Sequence, residues 1–190
     1  KKYFDYYSKF KRKDKLKIGI ISNQFESYKE YKNYVKSSFN ELLNKLDGVE
    51  LSIEEIKEIQ FINEIHHLHE IIYCKSLSYY FKEEYKRGTG VSDLMVEMIA
   101  KGERIRTQDF IDSCAKQPEY RYHFDEVFNK YDFILTPSTA SAAPKIGKAE
   151  LDDTCLIWTF LGYPVVSLPI FFDSQAGLPY GLQAIAPKFN

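Results

Sequence analysis

No stretch of this chain approaches the roughly 20 consecutive apolar residues that a membrane-spanning helix needs, and no secretory-signal pattern opens the sequence as given. Charge of one sign is missing as well, with 26 Lys and Arg against 27 Asp and Glu and a formal net charge of -1. Without a long-range field, neither nucleic acid nor an anionic membrane surface is an expected partner. Cysteine is scarce and odd in number. Cys74, Cys114 and Cys155 are widely spaced and form no recognisable disulfide framework, so a reducing, cytoplasmic setting is expected. Internal repeats and low-complexity tracts are absent.

What is present suits a packed core. Of the 190 residues, 44% are hydrophobic and 28% charged, which is ordinary for a globular chain and excludes wholesale disorder. Aromatics reach 16%, and their large apolar area is read first as packing. The length predicts one domain over residues 1–190. Because the sequence begins with Lys1 and Lys2, it is expected to be an incomplete piece of a larger domain. The basic stretch from Lys9 to Lys17 runs directly into an apolar segment and is read as a solvated lead-in.

Hydrophobic periodicity organises the chain. Lys17 to Ser22 reads as a strand, and Ser27 to Leu46 as a helix whose apolar face steps through Tyr28, Tyr31, Val35, Phe39, Leu42 and Leu46. Asp47 and Gly48 stop it, and Val49 to Ile53 reads as a second strand. Two strands flanking one helix predict a βαβ unit with a parallel pair. Glu54 to Tyr85 lacks Gly and Pro and is expected to be one long helix or two abutting ones. Ser92 to Ile99 predicts another helix, closing at Gly102, and Thr107 to Lys130 a further one, N-capped by Thr107 and broken at Pro118. Beyond Lys130 short apolar runs alternate with Gly, Pro and Ser, which predicts strands joined by tight turns. The pattern as a whole is α/β.

Few constellations carry chemistry on their own. Thr136-Pro137-Ser138-Thr139 is read as a loop after a strand ending at Leu135, where ligand sites of open α/β sheets lie. It is expected to line a pocket, since a nucleophilic Ser138 would need a base that the nearby sequence does not offer. On a helix, His66, His69, Glu70 and Cys74 share a face, but their spacing matches no metalloprotease pattern, and no metal is assigned. His123 is read as structural. None of the three thiols sits in a Gly-rich elbow beside a His, and Gly88-Thr89-Gly90 is too short for a phosphate cradle, so a cysteine hydrolase and a nucleotide cofactor are both set aside. No cofactor is expected.

Four blocks carry a resemblance. They are Tyr131-Asp132-Phe133-Ile134-Leu135-Thr136-Pro137; Ala143-Pro144-x-Ile146-Gly147; Trp158-Thr159-x-Leu161-Gly162-x-Pro164-x-x-Ser167-x-Pro169; and Gly177-Leu178-Pro179-x-Gly181-Leu182-Gln183. In this order and at these separations they resemble the C-terminal segment of the amidase-signature family, strongly over the last 60 residues and loosely before them. Val165 to Leu168 is then expected to be a strand buried on both faces, with Gly177-Leu178-Pro179 turning the chain into its neighbour.

The resemblance implies a fold and a chemistry. The fold would be the C-terminal part of the amidase-signature architecture, a mixed β-sheet flanked by α-helices. The parent would hydrolyse carboxylic amides to acid and ammonia through a Ser-Ser-Lys triad. That triad lies in a Gly- and Ser-rich signature upstream of the matched blocks. With nine Gly and no Gly-Gly-Ser-Ser run here, no catalytic residue carries over, and the chain alone is expected to be inert. Asp152, Asp153 and Trp158 do carry over as pocket lining, beside Thr136, Pro137 and Ser138, which are expected there from their place at a strand end. Asp152 and Asp153 match acidic positions of two branches, and also suit an ordinary helix N-terminus. Met98 stands where the amidotransferase branch tends to have Arg, which speaks against glutamine. The expected partners are a small amide substrate and the missing N-terminal part or a second copy, because a truncated sheet leaves edges uncovered. A non-catalytic interaction or sensor domain on the same scaffold, and an amidotransferase A-subunit-like protein, are the rival readings.

Overall fold

The structure is a computed structural model that describes residues 15–21, 31–46, 51–56, 62–148, 150–151 and 155–188. Strand β1 (Leu16–Ile21) leads to helix α1 (Asn33–Leu46) and strand β2 (Leu51–Ile56). β1 and β2 pair in parallel from Leu16 opposite Leu51 to Ile21 opposite Ile56, as the βαβ pattern requires. Four helices follow: α2 (Ile62–Tyr80), α3 (Lys82–Arg87), α4 (Asp93–Arg104) and α5 (Thr107–Phe128). The chain then returns to the sheet through β3 (Phe133–Pro137), the short helix α6 (Cys155–Leu161), β4 (Val165–Asp173) and β5 (Leu178–Ile185). The sheet order is β2-β1-β3-β5-β4. β3 lies parallel to β1, whereas β5 is antiparallel to both β3 and β4, so the sheet is mixed.

Alternation along the strands divides the core between the two faces. One face packs Ile18, Leu135 and Leu182 against Phe39 of α1, with Leu42 and Leu46 alongside. Ile21, Ile56, Ile134 and Ile185 point the other way, onto a larger cluster that contains Ile65 and Leu68 of α2, Tyr120, Phe124 and Phe128 of α5, and Trp158 of α6. Of the expected helical face of α1, Val35 and Phe39 are fully buried; Tyr28 lies outside the described residues.

Several expectations are corrected. Glu54 to Ile56 belong to β2 rather than to the following helix, because the parallel pairing with β1 runs on through Gly19, Ile20 and Ile21 to the buried Ile56. Of the two alternatives for the stretch that follows, two abutting helices is the one found, with α2 and α3 divided at Phe81. α4 extends past Ile99 to Arg104, with Ser92 as its N-cap accepting from Met95 N at 3.3 Å. α5 continues through Pro118 without a break, and its N-cap is Arg106. Pro118 sits on the exposed side of that helix, where water can satisfy the carbonyl that loses its partner. Thr136 and Pro137 end β3 instead of starting a loop, opposite Gln183 and Leu182.

The largest correction concerns β4. The strand expected to be buried on both faces is the edge of the sheet among the described residues, and Val166, Leu168, Ile170 and Phe172 are exposed, Val166 at 61% and Phe172 at 63%. Its turn into β5 also lies earlier than expected: Gly177, at φ 67, closes it and donates to Asp173 O at 2.8 Å, while Leu178 and Pro179 are already in β5.

Candidate functional site

Register across three strands places Thr136 (β3), Gln183 (β5) and Ser167 (β4) in one row, and cross-strand partners share a face of the sheet. The Gln183 amide fills the middle of that row. Its Nε2 donates to Thr136 Oγ1 at 2.7 Å, and its Oε1 accepts from Cys155 Sγ at 3.4 Å. Thr136 and Gln183 are fully buried, so the pair is satisfied without water. Cys155, on the first turn of α6, also donates to the Ser138 carbonyl. The Ser138 backbone is fixed in turn by a 2.8 Å bond from its N–H to Gly181 O.

Gly181 makes this convergence possible. A Cβ there would collide with the Ser138 hydroxyl and lie 3.1 Å from the Ser167 hydroxyl, so the two hydroxyls approach the same stretch of β5 backbone. Both serines line a cavity of about 1020 Å³, together with Cys155, Gln183 and Trp158. Trp158 is 1% exposed, packs edge-to-face on Phe124 with ring centroids 5.2 Å apart, and among the described residues its indole Nε1 has no hydrogen-bond partner.

The C-terminus of α6 forms the other end of the cavity. Gly162, in the left-handed region at φ 68, donates to Trp158 O at 2.8 Å and ends the helix. The helix's last carbonyls are taken by side chains: Gln117 Nε2 donates to Phe160 O, and Leu161 O accepts from Arg121 Nε at 2.9 Å and Lys188 Nζ at 3.3 Å. Tyr163 follows, its hydroxyl 2.5 Å from Asp125 Oδ1 and 3.0 Å from Arg121 O. Burial, with the Asp125 carboxylate beside it, holds that phenol well above its ordinary pKa and therefore neutral. Burial also pushes the Lys188 ammonium below its ordinary value, and the neighbouring Arg121 pushes the same way.

Among the residues expected to line a pocket, Ser138 and Trp158 reach the cavity. Thr136 and Pro137 are buried in the sheet, where Gln183 holds the Thr136 hydroxyl; Asp152 and Asp153 lie outside the described residues. Sequence reasoning did not single out Ser167, Gln183, Cys155, Arg121 or Lys188. The first two stand in the quoted blocks at positions that strand alternation sends to one face, and that was the signal available for them.

The His66, His69, Glu70 and Cys74 face does not converge on a point. Glu70 pairs with Lys101 of α4, the His69 ring stacks on Tyr73 at 5.7 Å, and Cys74 is buried under Gly102. Burial pushes the His69 imidazole below its ordinary value, with His66 adding to the effect, and burial foremost pushes the Cys74 thiol up. Among the described residues no group of three or more His, Cys, Asp and Glu side chains is arranged to hold a metal ion, and no helix is long and apolar enough to cross a membrane.

Comparison with known proteins places these features in context. A family model described as Amidase matches residues 2–190. The chain is 28% identical over 185 residues to a fatty acid amide hydrolase of Medicago truncatula, covering 90% of this chain and 30% of that protein. It is 32% identical over 139 residues to the glutamyl-tRNA(Gln) amidotransferase A-subunit of Limosilactobacillus reuteri, covering 64% of this chain and 25% of that protein. A crystal structure of an amidase superposes with a TM-score of 0.82 at 18% identity, covering 95% of this chain and 43% of that one, and the shared architecture is the mixed sheet with its flanking helices. This chain therefore spans less than half the length of each of these proteins, and with the family model matching all but its first residue, it belongs to the amidase family.

Proposed function

We propose that this chain is the C-terminal, substrate-cradling portion of an amidase that hydrolyses carboxylic amides to acid and ammonia. The observation that carries the reading is the polar row Thr136-Gln183-Ser167 under a cavity that also receives Ser138, Cys155 and Trp158, in a member of the amidase family. An amide needs a donor for its carbonyl and an acceptor for its nitrogen, held rigidly beside apolar surface. The Ser138 and Ser167 hydroxyls supply both kinds of group, above a floor that the internally bonded Gln183 carboxamide holds rigid. Ser138, Trp158, Asp152 and Asp153 are the residues proposed to touch the substrate, with Thr136 and Pro137 shaping the wall behind them.

The bond-breaking groups belong to the rest of the domain. A serine nucleophile requires an adjacent base, and among the described residues no Lys or His side chain hydrogen-bonds the hydroxyl of Ser138 or Ser167. The sequence has no Gly-Gly-Ser-Ser run. The exposed edge of β4 is where the remainder of the domain would join the sheet, and relatives more than twice as long as this chain support that reading.

Trp158 is the sole tryptophan, so fluorescence comes from one residue in the cavity wall. Titration of the chain with suberamide, a neutral primary diamide, is expected to change Trp158 emission saturably with no ammonia released. A response that fails to saturate, or no response, contradicts the amide-cradling role.

A further inference from the structure

The charged residues that line the cavity, Arg121 and Lys188, carry one sign. They reach it from distant parts of the sequence, one from α5 and the other from beyond β5, and meet at a single backbone oxygen, Leu161 O. A helix C-terminus offers about half an elementary negative charge, and with the Asp125 carboxylate nearby the corner still keeps a net positive excess. Neither side chain forms an ion pair with a described carboxylate. Asp125, the carboxylate that acts on Lys188, is engaged by the Tyr163 hydroxyl and does not line the cavity. Both cations are only partly exposed, and like charges held together away from bulk water are costly unless an anion joins them. Arg121 uses one of its five N–H donors on Leu161 O, and the planar fork that remains matches a carboxylate.

Helix α6 separates this corner from the polar row. At its N-terminal end Cys155 contacts Ser138 and Gln183, and at its C-terminal end Leu161 meets the two cations. Six steps of about 1.5 Å put those ends roughly 9 Å apart. Both border one cavity, with Trp158 and Val165 also in its lining.

We propose that Arg121 and Lys188 form an anion subsite, so that the preferred ligand is an amide bearing a carboxylate at its far end, about one α6 length from the amide. This rests on the amide-cradling reading above and adds the substrate class. The carboxylate bridges the guanidinium and the ammonium, while the amide lies against Ser138, Ser167 and Gln183.

The test compares suberic monoamide with suberamide, ligands of equal length that differ by one anionic end, using Trp158 fluorescence of the whole chain. The monoamide is expected to bind about ten-fold more tightly, the strength of a charge-assisted pair at a partly exposed site. Lys188→Met is expected to cut that preference, read as the ratio of the two affinities within each protein, several-fold, Arg121→Lys to keep part of it, and Arg121→Met combined with Lys188→Met to abolish it. Thermal melts of each variant identify any that fail to fold, and the Lys188→Met arm then decides alone. Equal binding of the two ligands to the wild-type chain overturns the anion subsite and leaves the amide cradle standing. Binding of neither overturns both.

Discussion

Gln183 Nε2 lies 2.7 Å from Thr136 Oγ1, across two antiparallel strands and out of reach of solvent. Through its carbonyl end the same amide meets Cys155, so one side chain ties the sheet to α6 and fixes the floor of the cavity. Gln183→Met keeps the volume and removes the hydrogen bonds, so it is expected to cost about 1–3 kcal/mol in urea denaturation. A double-mutant cycle with Thr136→Val isolates the pair, and the coupling is expected to exceed ~0.5 kcal/mol because the two residues are in direct contact.

Gly102 is where α4 crosses α2. A Cβ there would overlap the Cys74 carbonyl and press on Ser78 Cβ at 3.0 Å, with backbone as the main obstacle. Gly102→Ala is therefore expected to destabilise the chain by about 1–3 kcal/mol, despite the better helix propensity of Ala. The midpoint of chemical unfolding measures it.

His69 makes stability depend on pH. Its folded-state pKa lies below the ordinary imidazole value of 6.5, through burial first and His66 second. The unfolded chain then binds the proton more readily, so this contribution is fully present above about 6.5 and is lost as pH falls below it. The unfolding midpoint of the wild-type chain is expected to drop between pH 7.5 and about 5.5 more steeply than that of His69→Gln. Parallel profiles for the two proteins would remove His69 as the cause.

The β4 edge bears on association. Val166, Leu168, Ile170 and Phe172 present apolar surface on a strand that is the sheet edge among the described residues, an arrangement that favours pairing with another chain. Sedimentation velocity is expected to show association of the isolated chain that grows with concentration, and Val166→Lys with Phe172→Lys to shift it to monomer.

Much of the fold was legible because periodicity is local. The βαβ unit followed from Ile-rich runs flanking an apolar stripe at helical spacing, and the helical middle from the distribution of Gly. Pro118 misled because its effect depends on whether its face of α5 meets water, which the sequence does not state. The burial of β4 was misjudged for a similar reason, since an apolar strand is buried only if a neighbour covers it. Trp158 was accessible through its block, and Ser138 through its place just after an apolar strand-like run. Arg121 and Lys188 were not, because 40 and 27 residues separate them from Leu161 and only tertiary packing, of α5 and of the chain beyond β5 against the end of α6, brings them together.

The most direct test of the amidase reading is ammonia release from suberic monoamide and suberamide, measured for the purified chain alone and for the polypeptide extended upstream in its own gene. The expected result is no release by the chain alone and release by a product whose upstream part carries a Gly- and Ser-rich segment with a lysine. Hydrolysis by the chain alone, lost on Ser138→Ala, contradicts the placement of the catalytic groups, and an extended protein that binds amides without cleaving them contradicts the amidase itself.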